Sequence, residues 1–120
     1  MGKIIFIVDD NDANLVATSS VLEKDYKVLT MPSAQKMFTL LEKMKPSLIL
    51  LDIEMPGMTG IEAIALLKEN LEWKPIPVIF LTGRQDEDLL SEIGKTEAVD
   101  IVYKPIEAPV LLDSVKSHLT

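Results

Sequence analysis

Four apolar runs along the chain each end on a polar group: IIFIV stops at Asp9 and Asp10, LILL at Asp52, VIFL at Thr82 and DIVY at Lys104. Short runs rich in Ile and Val read as strands buried on both faces, and the helical patterns between them imply parallel pairing. A further short strand is expected over Tyr26 to Met31. Residues 12 to 24 carry Leu15 and Leu22 on one helical face, with Asp12 placed to cap it. Ala34, Met37, Phe38, Leu41 and Met44 share the face of a second helix, capped by Ser33 and ended before Pro46. Ile64, Leu67 and Leu71 mark a third, Leu89, Leu90 and Ile93 a fourth, and Leu112, Val115 and Leu119 a fifth. Strand and helix alternate, with turn punctuation at MPGMTG (55–60), KPIP (74–77) and TGR (82–84), which predicts one doubly wound α/β domain over residues 1–120.

Composition narrows the function. The 120 residues and 48% hydrophobic content suit one core. With no cysteine, disulfide frameworks, thiolate metal sites and thiol nucleophiles are excluded, in keeping with a cytoplasmic setting. The start, MGKIIFIV, meets Asp9 too soon for a signal peptide and reads as a first strand. No stretch approaches the roughly 18 apolar residues of a membrane span. A formal charge of −7 argues against direct binding of nucleic acid and favours a cation or a basic partner.

Parallel strands put their C-terminal ends on one edge, where open α/β sheets bind ligands. If the first and third strands are neighbours, Asp9, Asp10 and Asp52 meet there. Two carboxylates about 5 Å apart repel by about 3 kcal/mol at an effective dielectric of 20, so three demand a cation or protonation. An all-oxygen site suits Mg²⁺, with Mn²⁺ as a substitute. Lys104, held extended by Pro105, adds an ammonium; Thr82 adds a hydroxyl and Gly83 an unobstructed backbone N–H. Such a cradle stabilises phosphoryl transfer, with one carboxylate placed as nucleophile.

Taken together, IVDDN, LLDIEMPGMTG, FLTG and YKP resemble, in order and spacing, the receiver domain of two-component response regulators. The resemblance covers nearly the whole chain and implies a flavodoxin-like sheet of order 2-1-3-4-5. It implies that Asp52 accepts phosphate from a histidine kinase or phosphotransfer protein and loses it to water. Asp9 and Asp10 would bind Mg²⁺ beside Asp52 and the backbone carbonyl of Glu54. Lys104 would pair with phosphoryl oxygens, Thr82 would move toward them and start the switch, and the Lys104-Pro105 bond would be cis. The partners implied include an output domain or effector and a phosphorylation-dependent second copy.

Several positions depart from the family pattern. Ile101 stands where Tyr or Phe is usual, and Tyr103, on the same strand face but nearer the site, substitutes only in part. Glu97-Ala98 replaces a frequent Gly-Ala. Glu54 and Arg84 flank the pocket mouth, and Arg84 is expected to pair with Glu54 or the phosphoryl group and hinder the attacking water. Two rival functions share some of these residues. A haloacid-dehalogenase-like phosphatase using Asp10-Asn11-Asp12 leaves Asp52 without a role and has Asn14 where Thr or Val is needed. An unphosphorylated interaction scaffold would ordinarily have lost a site residue. A calcium loop fails at Leu15 and Val21, and no Gly-rich nucleotide loop exists. The sole histidine, His118, is expected in the last helix, facing solvent.

Overall fold

Strands and helices alternate in the computed structural model, which describes residues 3–119. Met1, Gly2 and Thr120, placed in the same domain from sequence, lie outside the described residues. The order is β1 (Ile4–Val8), α1 (Asp12–Leu22), β2 (Lys27–Met31), α2 (Ala34–Leu41), β3 (Leu48–Asp52), α3 (Gly60–Glu69), β4 (Val78–Thr82), α4 (Glu87–Gly94), β5 (Asp100–Tyr103) and α5 (Ala108–His118). All pairings are parallel, in the spatial order β2-β1-β3-β4-β5. The central β3 and β4 are buried at every residue, as the apolar runs demand, whereas the edge strands β2 and β5 are mixed.

Side-chain alternation divides the core in two. Phe6, Val8, Ile49, Leu51, Val78 and Phe80 pack beneath α2, α3 and α4. Ile5, Ile7, Leu48, Leu50, Ile79 and Leu81 pack with Leu15 and Leu22 of α1 and Leu111 and Val115 of α5. The sheet order reverses between β1 and β3, the switch point where such folds open a crevice.

The helix ends refine the sequence reading. Asn11, not Asp12, caps α1: the Asn14 N–H donates to its Oδ1 at 3.0 Å. Asp12 lies in the first turn, where its charge complements the helix dipole. Ser33 caps α2 as expected, but that helix stops at Leu41, and Met44 packs against the core from the following turn. Leu71 does not face the core: α3 ends at Glu69 and Leu71 is 87% exposed. The cause is local, because Asn70 Oδ1 accepts the N–H groups of Glu72 and Trp73 and turns the chain away. Lys68 braces that turn by donating to the carbonyls of Lys74 and Ile76, and burial lowers its pKa. In α5 the buried stripe is Leu111, Ser114 and Val115, so Leu112 is only partly covered.

Between β3 and α3 the chain must turn sharply. Gly57 does so at φ +81, a left-handed conformation that costs other residues roughly 1–2 kcal/mol. An added Cβ there meets nothing within 4 Å, so the cost is backbone alone. Gly57→Ala should therefore lower unfolding free energy by about 1–2 kcal/mol in urea titration. An unchanged midpoint would show that the loop relaxes to another turn.

Candidate functional site

Val8 and Leu51 are register partners at the ends of β1 and β3, so the residues that follow them, Asp9 and Asp52, come together. Both are 1% exposed, while Asp10 is exposed at the rim. The adjacency assumed from sequence is thus present, and one carboxylate oxygen from each of Asp9, Asp10 and Asp52 lies within 4.8 Å of the other two. Lys104 enters from the end of β5, where its N–H donates to the Thr82 carbonyl at 2.9 Å and its bond to Pro105 is cis. The Nζ of Lys104 donates to Asp52 Oδ1 at 3.0 Å and lies 2.9 Å from Asp9 Oδ2.

The electrostatics of this cluster are unbalanced. Burial pushes the Asp52 carboxyl up to about 7, Lys104 opposes the rise and the neighbouring Asp9 adds to it. Burial alone would lower the Lys104 pKa; hydrogen bonds and charge from Asp9 and Asp52 reverse this and hold it above the usual lysine value. One ammonium faces three carboxylates. Asp9 Oδ1 accepts the Asn11 N–H at 3.0 Å, and the buried Oδ2 faces Lys104 Nζ, which it shares with Asp52. Two buried carboxylates that share a single ammonium, a third at the rim, and oxygen-only donors fit a hard divalent cation such as Mg²⁺.

The remaining expected residues sit around this centre rather than in it. Side chains of β4 alternate, and Thr82 shares the face of Val78 and Phe80, away from the Asp9–Lys104 side. Its hydroxyl donates to the Glu54 carboxylate, 3.0 Å from Oε1 and 3.1 Å from Oε2, and accepts the Arg84 N–H at 3.0 Å. Arg84 does not pair with Glu54, contrary to expectation. Its Nε and Nη2 donate to Asp86 Oδ1 and Oδ2 at 2.9 and 2.8 Å. That pair raises the Arg84 pKa and lowers that of Asp86. Asp86 in turn caps α4, accepting the Leu89 N–H at 3.2 Å, so the nearer partner captures the guanidinium.

Gly83 is exposed, with open space where a Cβ would stand. Ile101 is half-buried against the core beneath α4, and Tyr103 is the register partner of Thr82. His118 is not simply solvated: its Nε2 lies 3.5 Å from Asp100 Oδ2, far from the carboxylate cluster in sequence and at the start rather than the end of β5. Two residues escaped the sequence reading. Asp86 gives only the common signal of a helix cap. Gly60 opens α3 so close to β3 that an added Cβ would lie 2.5 Å from the Asp52 carbonyl oxygen. The spacing MPGMTG hinted at a turn there, but not at this contact.

Residues 5–116 match the response regulator receiver domain family. A probable cyclic di-GMP phosphodiesterase of Vibrio cholerae is 41% identical over 118 residues, 96% of this chain; the chain spans only 26% of that protein. The polar-differentiation response regulator DivK of Brucella ovis is 32% identical over 99% of this chain and 98% of its own. Among solved structures, the chemotaxis protein CheY4 of Vibrio cholerae superposes with a TM-score of 0.92 at 23% identity, covering 99% of this chain and 100% of that one; at this identity it bears on fold alone.

Proposed function

Because this chain belongs to the response regulator receiver family of two-component signalling, we propose that Asp52 is the phosphoacceptor of a Mg²⁺-dependent switch. The observation that carries this reading is the buried Asp52 carboxylate at the sheet switch point, held by Lys104 and flanked by Asp9. The phosphoryl donor would be a phosphohistidine on a histidine kinase or phosphotransfer protein. An Asp52 oxygen attacks phosphorus, the P–N bond breaks with its electron pair returning to the imidazole, and an acyl phosphate forms. Water later cleaves that phosphate and restores the carboxylate.

Lys104 neutralises the phosphoryl oxygens from one side, and Thr82 and the Gly83 N–H serve the other once Thr82 leaves Glu54. Asp9, Asp10, Asp52 and the backbone carbonyl of Glu54 would hold the cation. A cation held by these residues would supply the positive charge that lets the carboxylate and an incoming phosphoryl anion approach each other. The chain works as a signalling module whose chemistry is its own phosphorylation and dephosphorylation, with Arg84, Glu54, Ile101 and Pro105 modulating it. No helix among the described residues is long and apolar enough to cross a membrane. We place it in the cytoplasm, as one receiver domain over 1–120, acting on an output domain, an effector or a second copy.

Incubation with acetyl phosphate and Mg²⁺, followed by intact mass, tests the reading. One phosphoryl adduct is expected on the wild type, lost with EDTA and absent from Asp52→Asn. No adduct on the wild type, or one that survives the substitution, would sink it.

A further inference from the structure

Thr82 is fully buried, yet its hydroxyl hydrogen goes outward, to an exposed carboxylate 28 residues earlier. A threonine hydroxyl has one hydrogen to donate. If it turns toward a phosphoryl group on Asp52, Glu54 loses Thr82, its hydrogen-bond donor among the described residues. A cation within the field of Glu54 is Arg84, whose own backbone N–H rests on Thr82 Oγ1 at 3.0 Å. Its guanidinium is held above its ordinary pKa first by Asp86, with Glu54 adding to the same field. The Arg84–Asp86 pair is bidentate but about half exposed on each side, 52% and 46%, and solvent-screened pairs of this kind are worth little and easily exchanged. Asp86 is also the cap of α4, and its Oδ2 is shared between Arg84 and the Leu89 N–H.

We propose that Glu54 and Arg84 form a charge relay from the Asp52 site to α4: when Thr82 leaves Glu54, the freed carboxylate draws Arg84 off Asp86. Glu54 and Arg84 are positioning residues; neither touches Asp52. The inference rests on the phosphoacceptor reading only for what moves Thr82. It provides a route to α4 that needs no aromatic ring at Ile101, because the signal travels as an exchange of ion-pair partners and ends as a change of charge and hydrogen bonding at the first turn of that helix.

The relay can be tripped without phosphate. Thr82→Val keeps the buried volume but removes the hydroxyl, leaving Glu54 free for Arg84. NMR of the Asp86 carboxyl and the Arg84 Nε–H then reads the partner directly. In Thr82→Val the Asp86 titration should move up toward the ordinary carboxylate range and the Arg84 resonance should shift. Thr82→Ser should remain as the wild type, and Glu54→Gln added to Thr82→Val should restore the wild-type signals. Unchanged signals in Thr82→Val, or changes that persist in the double variant, overturn the relay. Acetyl phosphate with Mg²⁺ should shift the same two signals in the wild type, but not in the adduct-bearing fraction of Glu54→Gln; equal shifts in both also overturn it. If the wild type takes no adduct, the phosphoacceptor reading fails by itself, and the Thr82→Val series still decides the relay.

Discussion

Asp52→Asn should make the metal-free protein more stable, and increasingly so as pH rises from 4 to 8. The sign follows from the raised carboxyl. Asp52 titrates near 7 in the folded protein against an ordinary value of 3.8, so the folded state holds its proton more tightly than the unfolded state. Between those values the unfolded chain has already ionised, and folding becomes less favourable with each step of pH. Above about 7 the full penalty applies, at roughly 1.4 kcal/mol per unit of displacement, hence of the order of a few kcal/mol. An asparagine carries no such charge, and Lys104 keeps Asp9 as its partner. Urea unfolding in EDTA at pH 4, 6 and 8 measures this: the two proteins should nearly coincide at pH 4 and diverge by pH 8. A constant difference across the range would mean that burial of the Asp52 charge does not govern stability. Added Mg²⁺ should stabilise the wild type more than the variant, because the wild type has the greater excess of carboxylate to relieve.

Among the described glycines Gly60→Val should be the most damaging substitution, and the damage should reach the site. A Cβ at this position meets the Asp52 carbonyl oxygen at 2.5 Å and Ile53 Cα at 2.9 Å, both backbone atoms at the end of a central strand. Neither can swing aside as a side chain would. Either α3 is pushed off the sheet or the Asp52 backbone moves, with overpacking of this kind costing about 3 kcal/mol. Because Gly60 N–H also bonds the Ile53 carbonyl at 2.9 Å, the displacement passes straight into the segment carrying the carboxylate. Denaturation midpoints should fall accordingly, and calorimetric Mg²⁺ affinity should weaken with them. Gly94→Ala is the control: a Cβ there meets nothing within 4 Å, and alanine favours the helix. Wild-type stability and metal affinity in Gly60→Val would show that α3 can move independently of Asp52.

The fold was legible because its runs are unambiguous. β3 and β4 lie buried on both faces between helices, so VIFLT and LILLD could be neither edge strands nor amphipathic helices. The meeting of Asp9, Asp52 and Lys104 followed from where the runs end, once parallel order was inferred. Periodicity erred at helix ends. Leu71 continues the apolar spacing of α3 but lies beyond Asn70, whose side chain competes for the backbone and stops the helix. The same spacing puts Leu112 on the apolar face of α5, whereas Leu111 is the residue that is buried, because docking onto the sheet decides which stripe is covered.

The chain by itself therefore determined the parallel sheet, its four crossovers and the polar groups along one edge, because these depend on local hydrophobic period and on chain direction. Tertiary structure alone decided how those groups divide. Strand register and pleat put Asp9, Asp52 and Lys104 on one side and Thr82 on the other, where Glu54 takes its hydroxyl and Asp86 takes Arg84. Those choices are made over distances of a few ångströms between residues far apart in sequence, and no periodicity encodes which of two nearby carboxylates a guanidinium will meet.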